Sequence, residues 1–254
     1  MLKENEKIDD LEYKGLKIIQ NKNGFCFGID SVLLSDFAKN IKKDANVLDL
    51  GTGTGIISIL LCGKTKLKKI IGVEIQKDVA EMAQRSIILN SLEKRAEIIN
   101  EDIKKLSKKY PANSFDAIVT NPPYKKENTG IKSQSETQLI SRHEIMCTIE
   151  DIAKVSAWLL NSNCSIYMVH RPDRIVDIIE CFRQYKLEPK IIRFVYPKIN
   201  KEPNLVLIKA TKNAKDFLKV EKPLIVYNDN GTYTNEILEI YNKKEVKIWK
   251  ENYI

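Results

Sequence analysis

The sequence predicts an α/β protein: a doubly wound, mainly parallel sheet of seven strands over residues 46–210, with a short preamble before it and a small extension after it. Three observations carry this expectation. From Asn46 onward, short apolar runs alternate with helical patterns, the arrangement that builds a parallel sheet with helices on its faces. The first of those runs ends in Gly51-Thr-Gly-Thr-Gly55, a glycine turn between a strand and a helix. A later run, Phe115–Thr120, is stopped by Asn121-Pro122-Pro123-Tyr124, because proline lacks an N–H, has a fixed φ and cannot extend a ladder.

In chain order, residues 1–45 form the preamble. Leu16–Gln20 reads as a short strand, Asn23-Gly24 as a hairpin turn and Phe25–Gly28 as the return strand. Asp30 or Ser31 caps a helix over Val32–Lys39. Val47–Leu50 is a buried strand, and a helix opens over Ile56–Cys62. Lys69–Glu74 is the second strand, Lys77–Asn90 a helix, Ala96–Asn100 the third strand and Phe115–Thr120 the fourth. Residues 125–147 are polar and aperiodic and read as a mobile loop. Thr148-Ile-Glu-Asp151 has capping-box spacing before a helix reaching Leu160, where Trp158 is expected in the core. Ser165–His170 is the fifth strand, and Pro172 starts a helix over Arg174–Tyr185. Ile191–Tyr196 and Leu205–Ala210 complete the sheet. Residues 211–254 then add a Lys-rich helical stretch, a strand at Leu224–Tyr227, an Asn230-Gly231 turn and an amphipathic tail packed on the main domain.

A chain of 254 residues with 43% apolar and 30% charged content can bury a real core. Its net charge of +8 is uneven: Lys186 to Lys222 holds ten lysines and arginines against four acids, and Lys64, Lys66, Lys68 and Lys69 form another cluster. Such surface suits a polyanion, nucleic acid first, or is ordinary solvated surface. The five cysteines, Cys26, Cys62, Cys147, Cys164 and Cys181, are scattered with no Cys-x-x-Cys pair, which argues against a metal site or a disulfide framework. Cys62 and Cys181 read as buried thiols. The N-terminus is too charged for a signal peptide, and no apolar run is long enough for a membrane span. A cytoplasmic monomer is expected.

The glycine turn follows Asp49 in the pattern Asp-Leu-Gly-Thr-Gly-Thr-Gly, and Glu74 ends the next strand. An acid at that strand end grips ribose hydroxyls in doubly wound folds. The G-x-G-x-G spacing differs from the G-x-G-x-x-G of dinucleotide sites, so a nicotinamide dehydrogenase is the weaker cofactor reading. With Asn-Pro-Pro-Tyr after the fourth strand, the pattern resembles the Rossmann-like class I S-adenosylmethionine-dependent methyltransferases. The resemblance implies that Gly51, Thr52, Gly53 and Gly55 abut the methionine and ribose portions and that Asp49 lies near the methionine ammonium. It implies that Glu74, with Ile75, holds the ribose, and that Asp102, with Ile103, faces the adenine.

In that family, Asn-Pro-Pro-Tyr marks enzymes that methylate a planar exocyclic nitrogen. Such a nitrogen has a delocalised, poorly nucleophilic lone pair. By this resemblance, Asn121 and the Pro122 carbonyl accept its N–H bonds and turn the lone pair toward the methyl, while Pro123 stiffens the loop and Tyr124 stacks on the base. The preamble, Gln20-Asn-Lys-Asn-Gly-Phe-Cys-Phe-Gly-Ile-Asp30-Ser-Val-Leu-Leu, and Arg142-His143-Glu144 are similar to one bacterial group. These are the tRNA (adenine-37) N6-methyltransferases acting on a valine tRNA. That likeness implies that Phe27 and Asp30, and Asn121 again, also border the cofactor, with a tRNA anticodon loop as partner and no metal. Phe27 and Asp30 also read as a core aromatic and a helix cap. A protein-glutamine methyltransferase and a catalytically idle RNA-binding protein on the same fold are the other readings.

Overall fold

The structure is a computed structural model that describes residues 2–22, 28–124 and 147–242. Its main sheet begins with β3 (Asn46–Leu50), buried on both faces, with Val47, Leu48 and Leu50 apolar and only Asp49 charged among its buried positions. β4 (Lys69–Glu74) and β5 (Ala96–Asn100) lie parallel on one side of it, β6 (Phe115–Thr120) and β7 (Leu160–His170) parallel on the other. β8 (Leu187–Tyr196) and β9 (Leu205–Lys212) close that flank, with β9 antiparallel to both β7 and β8. These are the seven expected strands. Two two-residue strands, β10 (Lys219–Val220) and β11 (Leu224–Ile225), extend the sheet along β8 to nine.

The chain winds one way from β3 to β4 and β5, then returns to lay β6 on the opposite side of β3. This reversal leaves a crevice outside the carboxyl ends of β3 and β6, where ligands bind in open α/β sheets. Leu50 pairs with Thr120, so the glycine turn and Asn121 leave neighbouring strands at the same level.

The helices are α1 (Ile29–Phe37), α2 (Ile56–Lys64), α3 (Lys77–Leu89), α4 (Leu106–Lys109), α5 (Ile149–Leu159), α6 (Ile175–Gln184) and α7 (Asn235–Ile240). The capping box at α5 forms between Thr148 and Asp151. One core, built on α1 and α2, covers one sheet face; α5 and α6 cover the other.

The preamble differs from expectation. The partner of β2 (Lys17–Asn21) is a preceding strand, β1 (Glu6–Asp10), whose almost wholly polar sequence hid it. The expected Asn23-Gly24 turn and return strand lie outside the described residues, except Gly28, which precedes α1. The β1–β2 hairpin docks on α3: Ile19 N donates to Ser86 Oγ at 2.9 Å, and Arg85 Nη1 to Glu6 Oε2 at 2.7 Å.

The extension also differs. Residues 213–218 form no helix; the chain runs along the free edge of β8, whose unpaired backbone groups offer partners that a short Lys-rich helix would forgo. The Asn230-Gly231 turn forms, and Tyr227 stacks on Tyr233. Buried Lys64 ties this extension back, donating to the Ile240 carbonyl at 2.7 Å, pairing with Asp36 and lying over the Tyr13 ring. Trp158 is 47% exposed rather than core, its Nε1 donating to the Tyr110 carbonyl. Cys62 is buried and Cys181 half-buried.

Candidate active site

The turn after β3 is shaped by backbone torsion. Gly51 and Gly53 have φ of +69° and +55°, a region that costs side chains, and a Cβ at either would project into open space rather than protein. The result is a backbone cradle open toward the crevice. Thr52 N donates to the Val73 carbonyl at 2.9 Å, tying the cradle to β4.

Beneath the cradle sits Asp49, 0% exposed. Its Oδ2 accepts from Thr52 Oγ1 at 2.6 Å and Ser58 Oγ at 2.8 Å; its Oδ1 is buried with no hydrogen-bond partner among the described residues. Burial in a low-dielectric setting, only partly offset by the two hydroxyls, pushes this carboxyl up to about 6. Glu74 ends β4 at 4% exposure, receiving Gly53 N on one oxygen at 3.1 Å and Gln76 N on the other at 2.9 Å. Each oxygen keeps a second lone pair for a ligand hydroxyl. Ile75 follows, half-buried, its carbonyl held by Asn100 Nδ2. Asp102, after β5, caps a short 3-10 turn by accepting from Lys104 N at 2.9 Å, while Ile103 is buried in the core.

Across the crevice, Asn121-Pro122-Pro123-Tyr124 leaves β6 without secondary structure. Asn121 Nδ2 donates to Asp30 Oδ2 at 3.0 Å and Ser31 Oγ at 3.2 Å, both on the first turn of α1. The Tyr124 hydroxyl lies 2.7 Å from Asp30 Oδ2 and 2.5 Å from Asn121 Oδ1. Two short oxygen–oxygen contacts share a single hydroxyl proton, so this cluster is one donor short. Burial foremost, then the Asp30 charge, holds the Tyr124 phenol well above its ordinary value, so that proton stays in place. Tyr124 also packs edge-on to His170, with ring centroids 5.3 Å apart. His170 is 1% exposed, accepts from Arg171 N through Nδ1 at 2.8 Å, and is lowered to about 4, chiefly by burial.

Thus Asp49, Gly51, Thr52, Gly53, Gly55 and Glu74 gather on one side of the crevice, and Asn121 and Tyr124 face them from the next strand. Asp30, expected at the cofactor, has its carboxylate on Asn121 and Tyr124. Phe27, His143 and its neighbours lie outside the described residues. Sequence reasoning took Asp30 or Ser31 as the cap of a helix starting at Val32, but α1 begins at Ile29 after Gly28 and both lie in its first turn. It missed Ser58 and His170. A strand-order rule signals the last: His170 ends the strand next to β6, two positions past Met168, the partner of Thr120.

A family model states which class of protein carries such a crevice. Residues 23–174, more than half of the chain, match the methyltransferase small domain, and the chain belongs to that family. Among curated proteins it is similar to the tRNA1(Val) (adenine(37)-N6)-methyltransferases of Aliivibrio salmonicida and Haemophilus influenzae. The first is 25% identical over 217 residues, covering 85% of this chain and 89% of that protein. The second is 27% identical over 234 residues, covering 90% and 94%. Among solved structures, a predicted O-methyltransferase of Agrobacterium tumefaciens superposes with a TM-score of 0.67 at 19% identity, covering 87% of this chain and all of that one. The 16S rRNA N2 G1207 methyltransferase of T. thermophilus, solved with AdoMet and guanosine, gives 0.58 at 18% identity, covering 84% and 52%. These structural likenesses show the fold. Among the described residues, no helix is long and apolar enough to cross a membrane.

Proposed function

We propose that this protein methylates N6 of an adenine in RNA from S-adenosylmethionine, and that the adenine is position 37 in a tRNA anticodon loop, a valine tRNA by the names of its relatives. The observation that carries the reading is the oxygen cluster of Asp30, Tyr124 and Asn121, one donor short, beside the glycine cradle. An exocyclic amino group brings the missing donor.

The cofactor side fits the proposed group. The cradle has room where side chains would stand, the orphaned Asp49 Oδ1 suits a ligand ammonium, and the free lone pairs of Glu74 suit ribose hydroxyls. Asp102 sits at the adenine end of that path. When bound, S-adenosylmethionine supplies an electrophilic methyl on a sulfonium.

The remaining work falls to the chain. Asn121 Oδ1 accepts one N–H of the adenine amino group and the Pro122 carbonyl the other, which turns the lone pair out of the ring plane. Tyr124 offers a ring face to the extruded base, worth about 1–3 kcal/mol. Catalysis rests on orienting a near-attack pair in a water-poor crevice, with no general base before transfer. Single-stranded anticodon loops present bases that can be splayed and stacked in this way. The basic surface around Lys186–Lys222 holds the RNA backbone.

The test is incubation with labelled S-adenosylmethionine and total bacterial tRNA, against purified release factor as control acceptor, followed by nucleoside mass spectrometry. N6-methyladenosine in the tRNA is the expected product. Label confined to the protein acceptor assigns the chain to glutamine methylation instead.

A further inference from the structure

We propose that Asp30, on the first turn of α1, is the positioning residue that decides which end of the Asn121 amide faces the substrate. The kinetic consequence rests on the methyl-transfer reading above; the geometry does not.

An amide presents an acceptor at one end and two donors at the other, and the ends are nearly the same size. A substrate amino group needs the acceptor end. Nothing in the backbone of Asn121 makes that choice, because rotation by half a turn about the side-chain bond exchanges the two. The Asp30 carboxylate offers acceptors to the amide. Its Oδ1 is pinned by Ser31 N at 2.8 Å, and its Oδ2 receives Asn121 Nδ2 at 3.0 Å. Ser31 Oγ, 3.2 Å from the same nitrogen, takes the second amide hydrogen. The flipped amide would set Asn121 Oδ1 against a carboxylate and aim two donors at the substrate's own donors.

Gly28 supports the arrangement. A Cβ there would come 2.8 Å from Asp30 Oδ1, although its φ of −95° suits any residue. The glycine is therefore room for the carboxylate, which makes Gly28→Ala a second probe that displaces the acid without removing it.

The experiment compares wild type, Asp30→Ala and Gly28→Ala. Asn121 side-chain amide resonances, assigned by their loss in Asn121→Asp, are recorded in 15N-asparagine-labelled protein without substrate. S-adenosylmethionine affinity is measured by calorimetry, and turnover is measured on tRNA. The expected result in Asp30→Ala is a shift of the Asn121 pair toward solvent-like positions, turnover lower by about 100-fold and retained cofactor affinity. Gly28→Ala should move both readouts the same way by a smaller amount, and it serves alone where Asp30→Ala fails to fold. An Asn121 pair that stays in place in the variants overturns the proposal. Cofactor affinity lost in step with turnover also overturns it and makes Asp30 a cofactor ligand. If the wild type methylates no RNA, the functional reading fails while the resonances still decide the amide orientation.

Discussion

Replacing Asp49 by asparagine should make the ligand-free protein's stability less dependent on pH in a defined direction. Asp49 carries a carboxyl raised from the ordinary 3.8 to about 6 by complete burial. A folded state that holds a proton more tightly than the unfolded chain is stabilised at low pH and loses that stabilisation as pH rises. The loss begins near the unfolded value of 3.8, and it is complete once pH has passed through about 6. The gap between the two values corresponds to about 3 kcal/mol at 1.36 kcal/mol per pH unit, and about 2 kcal/mol of it falls between about pH 4.5 and 7. Above that window the wild type holds a buried, half-satisfied carboxylate that the asparagine variant lacks.

The wild-type curve alone will not display this. His170, lowered to about 4 from 6.5, has the opposite sign: it is buried neutral, and its contribution is lost as pH falls from 6.5 through 4. The quantity to measure is therefore the difference in unfolding free energy between wild type and Asp49→Asn, from urea titrations across the window. Any constant cost of the asparagine's own unpaired donor cancels from the change with pH. The difference should move by about 2 kcal/mol in favour of the variant as pH rises. A difference that stays flat would refute the argument that desolvation dominates at Asp49, and would mean that the Thr52 and Ser58 hydroxyls compensate the charge in full.

Three further outcomes are expected. Asn121→Ala should lower turnover by about 10²–10³-fold while calorimetry shows cofactor binding intact, because it removes an acceptor used on the transferring nitrogen. Glu74→Ala should weaken S-adenosylmethionine binding by about ten- to hundred-fold, through lost charge-assisted hydrogen bonds and a slack cradle at Gly53; an affinity equal to wild type would void the ribose assignment. Lys64→Ala should cost about 1–2 kcal/mol in a denaturant titration, since it removes the buried donor to the Ile240 carbonyl and leaves Asp36 paired with the more exposed Lys39.

Much of this molecule was legible from local rules. β4, β5 and β6 run between the residues expected for them, because each is an apolar run bounded by turn residues or prolines. The glycine turn, Glu74 and Asn-Pro-Pro-Tyr were visible because their chemistry is set by residue type and spacing along a few positions. The illegible parts depend on partners distant in sequence. β1 is polar at every position but Ile8, and its strand character comes from pairing with β2 and docking on α3 through Arg85. β10 exists because β8 has a free edge. Trp158 has an apolar residue's name but an exposed position on α5.

The same division runs through the site. Residue type and order along the chain determined that this protein holds a glycine cradle, a strand-end acid and a proline-stiffened asparagine, since backbone torsion and proline sterics act within a few residues. Tertiary structure decided how they meet. Pairing of Leu50 with Thr120 sets the two motifs side by side, and α1, some ninety positions upstream of Asn121, brings the Asp30 carboxylate that orients its amide. Hydrogen-bond polarity depends on which groups meet across the crevice, and only the folded sheet settles that.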